Sequence, residues 1–286
     1  MGAIRILADS CCDLSPELIR EYDIHVIPLY VVLGEKVYQD GVDVNCQMLY
    51  DYFDATAQTP KTTAANVGNY EDYFRPFVEA GDELIYLGLS AQMSSTLSNA
   101  RMAAGLFPDA KIACIDSKNL STGIGLIVLR AAEMVREGLG FDEIVANVEQ
   151  LVDLSRASFI LEKLEYLRRG GRCSLLASMG ASMLSIKPEI AVRNGAMSNR
   201  SKFRGSMLSC AEKYVQSLLA TPDRIDKRRA FVTYTPGTDE QLVETVYNTA
   251  KAANLFDEIL RTEAGSVVTS HCGRNTIGLL FLDKPE

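Results

Sequence analysis

Apolar and polar positions along the first half of the chain follow two periods in turn. Short apolar runs rich in β-branched and aromatic residues, typical of strands, alternate with longer segments whose apolar residues recur at helical spacing. Ser15 and Pro16 mark one helix start, because serine caps a helix and proline suits its first position. The pattern predicts strands at 3–9, 24–34, 82–90 and 110–116, and helices at 15–22, 45–55, 69–80, 95–107, 123–138 and 141–154.

The second half of the chain has a different rhythm. Asn194-Gly195 separates two strand-like runs and favours a type I′ hairpin turn, which requires an antiparallel strand pair. The second sheet is therefore expected to be mixed. The elements predicted here are strands at 156–162, 187–203 (the hairpin), 228–235, 257–264 and 276–283, and helices at 174–184, 206–220 and 239–253, so that the chain ends in a strand-helix-strand-strand unit.

This change of rhythm places a domain boundary near Ser155. Strands that alternate with helices form βαβ units around a parallel sheet. The predicted fold class is α/β with two domains: a parallel-sheet domain over residues 1–155 and a mixed-sheet α/β domain over residues 156–286. Because ligand sites favour clefts between domains, we expect a binding site in the cleft between these two.

Composition narrows the class of protein. With 47% hydrophobic and 23% charged residues, the chain fits a globular protein, and its net charge of −8 argues against a nucleic-acid partner. No apolar run reaches the roughly 18 to 20 residues that cross a bilayer, and no signal-peptide pattern is present. We therefore expect a cytoplasmic protein without stable membrane insertion. Seven irregularly spaced cysteines and two histidines predict neither a metal site nor a cofactor.

Hydroxyl side chains lie at two predicted turns. Ser94, Ser95 and Thr96 occupy a helix start, where unpaired backbone N–H groups favour an anion. Thr62 and Thr63 lie in a predicted loop before another helix, and their hydroxyls suit either capping or hydrogen bonds to an oxyanion. The residues alone leave capping and anion binding open in both places.

The turn before Ser94 partly matches the nucleophile elbow of serine hydrolases. Gly88 and Ser90 fit the first two fixed positions of G-x-S-x-G. Gln92 stands where the strained turn needs its second glycine, so the match is weak.

Basic residues form two local clusters in this acidic chain. The double glycine Gly170-Gly171 permits positive φ, so that Arg172 beside it suits a fork for a carboxylate or phosphate. Solvent-exposed arginines with a glycine helix cap are the alternative. The clusters are Arg168, Arg169 and Arg172, and Arg200, Lys202 and Arg204.

His271 lies in a predicted loop near the C-terminus. Thr269 and Ser270 precede it and Gly273 follows. Imidazole serves as a general base or as a hydrogen-bond partner for a carboxylate, and an isolated histidine is often only structural. All three functions stay open on spacing alone.

Several stretches together resemble the DegV family, whose members include the fatty-acid-binding subunit of bacterial fatty acid kinase. The ordered set runs nearly the whole length and is more specific than any one motif. It comprises ILADSCCDLSPE, VIPLYVVLGEKVYQDGVDV, KTTAANVGNY, LSAQMSSTLSNA, IDSKNLSTGIGLIV, LEYLRRGGRCS, IKPEI, KFRG and GSVVTSHCGRN.

The resemblance implies a long-chain fatty acid in an apolar tunnel, with its carboxylate held by a threonine, a serine and a histidine. These fall on Thr62, Ser94 and His271 of this sequence. The arginines of the family's G-G-R and K-x-R-G motifs fall on Arg172 and Arg204. Residues 174–186, rich in Ala, Gly, Leu and Met, are the predicted tail lining, and an ordinary helix core is the alternative for this segment.

The sequence departs from the family pattern in three loops. Ala64-Ala65 follows Thr63 where the family has S-x-P, and Ser95 replaces the glycine of S-G-T. Arg274 replaces the proline of H-x-G-P-G, which could add charge near the carboxylate or alter docking of a partner.

The predicted function is therefore a fatty-acid-binding protein without catalysis of its own, presenting its ligand to a separate ATP-binding kinase subunit. Two alternatives stay open. One is a serine acyl hydrolase that uses Ser94 or Ser90 with His271, for which only Asp9 and Asp116 are candidate third members. The other is a binder of a different small anionic ligand on the same fold.

Overall fold

The computed structural model describes residues 2–171 and 186–285. Most of the predicted elements are present, and these described ranges also contain two short 3₁₀ turns, Ser10–Cys12 and Pro222–Arg224. The described strands are β1 (Ile4–Asp9), β2 (Ile24–Ile27), β3 (Tyr30–Leu33), β4 (Lys36–Gln39), β5 (Lys61–Thr63), β6 (Glu83–Gly88), β7 (Ile112–Asp116), β8 (Ser155–Arg156), β9 (Ser158–Leu161), β10 (Ile186–Arg193), β11 (Ala196–Arg204), β12 (Ile225–Tyr234), β13 (Glu258–Glu263) and β14 (Thr276–Asp283). The described helices are α1 (Pro16–Glu21), α2 (Cys46–Thr56), α3 (Val67–Glu79), α4 (Thr96–Ala104), α5 (Thr122–Arg136), α6 (Phe141–Val152), α7 (Glu165–Gly170), α8 (Met207–Leu218), α9 (Glu240–Ala252) and α10 (Ser266–Cys272).

The first half is built on a four-stranded sheet with the order β2-β1-β6-β7. All three strand pairs are parallel, as the alternation of strands and helices predicts. Leu84 and Ile85 on β6 are fully buried although they are adjacent and face opposite sides. Burial on both faces is typical of a parallel sheet covered by helices.

A small antiparallel sheet with the order β4-β3-β5 corrects two expectations. Residues 24–34 do not form one strand: β2 belongs to the parallel sheet, and β3 begins at Tyr30 after Pro28, which lacks a backbone N–H to donate. Thr62 and Thr63 lie in strand β5 rather than in a loop, because they pair with β3. A three-residue strand has no period that the sequence could reveal.

The second half contains the predicted mixed sheet, with the order β11-β10-β9-β14-β12-β13 and β8 paired to β14. Strands β12 and β13 are parallel, and the other pairs are antiparallel. Asn194 and Gly195 have φ values of 50° and 84° at the hairpin tip, as a type I′ turn requires. The α/β fold class with a parallel and a mixed sheet is confirmed.

A short helix, α10, interrupts the predicted strand-strand ending of the chain and carries His271 in its last turn. His271 therefore lies on a helix and not in a loop. The segment SVVTSHC contains β-branched and small residues of low helix propensity, so its helical state depends on tertiary contacts described below.

Helix α5 packs between the two sheets, in a core that contains residues of both. Most of its side chains are buried, on every face of the helix. It contacts β1 and β6 of the parallel sheet and β12 and β14 of the mixed sheet. Close approach depends on two glycines, because a Cβ at Gly123 would lie 2.3 Å from Asn119 Oδ1 and one at Gly125 would lie 2.8 Å from Cys12 O. Strand β7 belongs to the parallel sheet and β8, which begins at Ser155, belongs to the mixed sheet. The domain boundary near Ser155 stays a prediction. The helix predicted at 174–184 lies outside the described residues.

Candidate functional site

A cavity lies where the polar loops predicted to bind an anion meet. It measures about 620 Å³ when the open solvent at its mouth is counted, and its interior space is much smaller, about 70 Å³. Its described lining contains apolar, hydroxyl, thiol and imidazole side chains and no carboxylate. The lining residues are Cys11, Leu29, Thr62, Thr63, Ala64, Leu89, Met93, Ser94, Leu120, Leu167, Met197, Val267, Val268, His271 and Cys272.

Thr62 and His271 meet directly at this cavity. Thr62 Oγ1 and His271 Nε2 lie 2.8 Å apart, with the donor set by the tautomer of the ring. Strand β5 orients the threonine through its pairing with Val31, and helix α10 orients the histidine. Residues 209 positions apart in the chain thus form one polar pair beside an apolar space.

Two carboxylates from the first half hold the N-terminus of helix α10. The Gly265 N–H donates to Asp13 Oδ1 at 2.9 Å, and the Ser266 N–H donates to Asp40 Oδ1 at 2.8 Å. A carboxylate at this end also interacts favourably with the helix dipole. A Cβ at Gly265 would lie 3.2 Å from oxygens of both carboxylates, which leaves little room for a side chain. This carboxylate clamp, Asp13 and Asp40, fixes the helix that carries His271.

Burial raises the pKa of both clamp carboxyls. Desolvation raises the pKa of Asp13 to about 8, against hydrogen bonds from Ser121 and Gly265 that favour the ionised form. Desolvation likewise raises the pKa of Asp40, partly offset by the hydroxyl of Ser10. Asp40 adds electrostatic repulsion that further raises the pKa of Asp13. Both carboxyls thus hold their protons to higher pH than exposed aspartates do.

The double glycine of the basic motif packs against the histidine. A Cβ at Gly170 would lie 2.4 Å from His271 Nδ1, so the ring occupies the space that a side chain would need. Gly171 ends helix α7 with φ of 69°, as the sequence predicted for this pair. The glycines therefore fix how closely α7 approaches His271.

Ser94 reaches the cavity from the turn between β6 and α4. Its N–H donates to Ser90 O at 3.1 Å, and its Oγ accepts from the Thr96 N–H at 3.3 Å. Asp9 supports the start of this turn, since its Oδ2 accepts from the Leu89 N–H at 2.8 Å. Ser94 is thereby presented to the cavity by a hydrogen-bonded turn.

The cavity brings together Thr62, Thr63, Ser94 and His271. Ser95 and Arg204 are exposed and do not line it. Arg204 lies seven residues along β11 from the lining residue Met197, or roughly 23 Å at strand spacing. Arg172 lies outside the described residues, as does the predicted tail lining. Ligand contacts stay a prediction for all seven candidate residues: Thr62, Thr63, Ser94, Ser95, Arg172, Arg204 and His271.

Arg274, which replaces a proline of the family pattern, points to helix α2. Its guanidinium pairs with Asp54 through contacts of 3.1 and 2.8 Å and lies 4.3 Å from the ring centroid of Tyr50. The hydrogen bond from Arg274 lowers the pKa of Asp54. Arg274 does not line the cavity that contains His271.

A second and smaller cavity, about 340 Å³ when the open solvent at its mouth is counted, adjoins the first. Leu120, Val268 and Cys272 line both, so these three side chains form the wall between them. Sequence patterns did not reveal this wall, because Leu120 is far along the chain from Val268 and Cys272, which share helix α10. The remaining lining residues are Ser121, Phe159, Thr233, Tyr234, Thr235, Ala264, Thr276, Gly278 and Leu280.

Within residues 2–171 and 186–285, no group of three or more His, Cys, Asp or Glu side chains is placed to hold a metal ion. Over the same ranges, no helix is long and apolar enough to cross a membrane.

Comparison with known proteins shows similarity to the DegV family along nearly the whole chain. The family model described as "Uncharacterised protein, DegV family" matches residues 3–284. A DegV domain-containing protein of Clostridium acetobutylicum is 29% identical over 284 residues, covering 99% of this chain and 100% of the relative. One from Deinococcus radiodurans is 29% identical over 278 residues, covering 97% of each chain.

Solved structures share the fold. "Fatty Acid Binding of a DegV family Protein from Thermus thermophilus" has a TM-score of 0.91 at 28% identity, covering 99% of this chain and 100% of that one. A stearic acid-binding protein from Eubacterium ventriosum has a TM-score of 0.83 at 28% identity, covering 99% of each chain.

Proposed function

This chain belongs to the DegV family, and from that premise we propose that it binds a long-chain fatty acid without catalysing a reaction of its own. The observation that carries the proposal is the Thr62–His271 pair, with Ser94 nearby, at the edge of an apolar cavity. Two similar proteins, each 28% identical, are described as fatty-acid-binding and stearic acid-binding.

The polar end of the cavity suits a carboxylate. A carboxylate that leaves water needs hydrogen-bond donors to replace its hydration. In the proposed complex Thr62, Ser94 and His271 supply them, and the lining contributes no carboxylate of its own to repel the ligand. Hydroxyl and imidazole donors serve this purpose without a fully buried ion pair.

The acyl tail extends from this end toward the second cavity in our proposal. Leu120, Val268 and Cys272 separate the two spaces, so the tail passes them if their side chains move aside. Burial of roughly a dozen methylenes at about 0.8 kcal/mol each contributes on the order of 10 kcal/mol before the costs of association. The tail therefore supplies most of the affinity, and the head group fixes the orientation.

The test compares a fatty acid with a ligand that keeps the tail and loses the charge. Palmitic acid and methyl palmitate are titrated into delipidated protein, with displacement of a fluorescent fatty acid as the readout. We expect palmitic acid to bind at least 10-fold more tightly. Equal affinities would contradict a site built for the carboxylate.

We further propose that a separate ATP-binding kinase subunit acts on the bound carboxylate, with Arg204 and Arg172 contacting that partner or its phosphate. Arg204 is exposed at the end of β11 and has no role in the cavity lining. Arg204→Glu should reduce acyl phosphate formation by a cognate kinase while fatty-acid binding is unchanged. Exposed Arg20→Glu is the control. Unchanged acyl phosphate formation in Arg204→Glu would rule the docking role out.

The geometry gives a serine hydrolase less support. Ser90 is fully buried and its Oγ donates to Gly195 O at 2.7 Å. Asp9, a candidate third member, accepts hydrogen bonds from Tyr70 and Tyr86. His271 Nε2 is engaged by a threonine. Hydrolysis of a chromogenic acyl ester that is lost in Ser94→Ala would favour the hydrolase over the carrier.

A further inference from the structure

A second concave site lies on the other side of the mixed sheet. Alternate residues of a strand face opposite sides, and on β14 Leu280 lines the second cavity whereas Leu279 and Phe281 line this groove. The groove encloses about 840 Å³ counting its open mouth and shares no lining residue with either cavity. It is therefore separate from the fatty-acid site.

Four arginines from four different elements converge on this groove. We call it the arginine groove and define it by Arg156, Arg193, Arg200 and Arg224. They lie on β8, at the end of β10, on β11 and in the 3₁₀ turn before β12. Their convergence in a chain of net charge −8 is a local reversal of the overall charge.

Two of these arginines are matched by carboxylates. Arg156 Nε donates to Asp283 Oδ2 at 2.5 Å, and Arg200 Nη1 donates to Glu189 Oε1 at 2.8 Å. Glu189 is fully buried, so Arg200 is needed to balance its charge. Each guanidinium has five N–H donors, and these bonds leave further donors on both.

The other two arginines, Arg193 and Arg224, have no such carboxylate partner among the described residues. In the described part of the chain, neither Arg193 nor Arg224 forms a side-chain hydrogen bond or ion pair with another residue. Partial burial lowers the pKa of Arg193, and the neighbouring Arg156 and Arg200 lower it further. Asp283 and Glu189, which already pair with Arg156 and Arg200, also attract Arg193 at longer range. The groove therefore has four arginines against these two carboxylates, an excess of two positive charges.

We propose that the arginine groove binds a soluble phosphate monoester through Arg193 and Arg224. A phosphate monoester near neutral pH carries close to two negative charges and three acceptor oxygens, which matches two guanidinium forks. Leu279, Phe281 and Ile225 also line the groove but are almost fully buried, so they offer the organic substituent of the ester only a small apolar surface. This site is independent of the proposed fatty-acid site.

The test is calorimetric titration of the full chain with phenyl phosphate at pH 7.5 and low salt. Benzenesulfonate, which has the same ring and one negative charge, is the matched ligand. We expect phenyl phosphate to bind with a dissociation constant below 1 mM, benzenesulfonate to bind at least 10-fold more weakly, and added salt to weaken binding. Equal binding of both ligands, or none, would overturn the proposal.

Arg193→Gln/Arg224→Gln should weaken phenyl phosphate binding at least 10-fold, while the fluorescent fatty acid still binds normally. Both arginines are exposed, so the variant is expected to fold. Arg20→Gln/Lys36→Gln removes the same charge from surface positions that do not line the groove and should leave binding unchanged. An equal loss in both double variants would overturn a specific site.

Cosedimentation with phosphatidylcholine vesicles that contain phosphatidic acid distinguishes a lipid head group from a soluble ester. We expect phenyl phosphate to bind in the absence of vesicles and the Arg193→Gln/Arg224→Gln change not to alter vesicle binding. Vesicle binding that depends on these arginines, without phenyl phosphate binding, would contradict the proposal.

Discussion

Thr62 contacts His271 through its hydroxyl, in the lining of the cavity that we propose for the fatty acid. Thr62→Val keeps the shape of the side chain and removes the hydroxyl. A hydrogen bond to a charged group contributes about 1.5–3 kcal/mol, so we expect fatty-acid affinity to fall roughly 10-fold or more. Displacement of a fluorescent fatty acid measures this change. Thr245→Val, at a half-buried helix position that does not line the cavity, is the control, and equal affinity in the two variants would refute the role of Thr62.

A substitution at Gly170 tests whether the proposed fatty-acid binding depends on the position of the His271 ring. A methyl group there would lie 2.4 Å from His271 Nδ1, so Gly170→Ala should displace the ring and weaken fatty-acid binding several-fold. Gly140→Ala is the matched control, because a Cβ at Gly140 meets nothing within 4 Å. The measurement is the same displacement titration. Normal affinity in Gly170→Ala would mean that the ring position does not limit binding.

Helix α10 depends on the carboxylate clamp more than on its own sequence. Asp40→Ala removes the acceptor for the Ser266 N–H, whereas Asp40→Asn keeps an acceptor oxygen. We expect Asp40→Ala to lower the free energy of unfolding by about 1–3 kcal/mol and to weaken fatty-acid binding, and Asp40→Asn to restore much of both. Denaturant unfolding and fatty-acid titration provide the two readouts. Asp40→Ala with normal ligand affinity would show that the clamp does not position His271.

The clamp also predicts a pH dependence. The pKa of Asp13 is raised from 3.8 to about 8 in the folded protein, so between these values the folded state binds a proton that the unfolded state has lost. The contribution of Asp13 to the free energy of unfolding therefore falls as pH rises from about 4 to about 8, by up to about 1.4 kcal/mol per pH unit. Above about pH 8 this contribution no longer changes with pH. Relative to Asp13→Asn, the wild type should lose stability over this range in denaturant unfolding. A constant difference would contradict the raised pKa.

Local sequence predicted long elements better than short ones. Strands β1, β6 and β7 of the parallel sheet and the hairpin at Asn194-Gly195 have clear periods or turn residues, and the structure confirms them. Strand β5 and helix α10 have only three and seven residues, and each is stabilised by distant partners. Asp13 and Gly265 are 252 positions apart, so no local pattern could predict that contact.

The whole chain brings the predicted polar loops to one cavity. Thr62, Ser94 and His271 were expected together from family motifs, and the structure places all three in its lining. The wall formed by Leu120, Val268 and Cys272 was not predicted, because ordinary apolar residues become a lining only through the packing of whole elements. The arginine groove was missed for the same reason, since its members come from four elements.

Mass spectrometry of the purified protein, first native and then denatured, tests the central claim most directly. We predict that the native protein carries a bound mass that denaturation releases as a long-chain fatty acid. A Thr62→Ala/Ser94→Ala variant should lack it. Wild-type protein that is empty, and stays empty after incubation with long-chain fatty acids, would contradict fatty-acid binding and favour a different anionic ligand for this cavity.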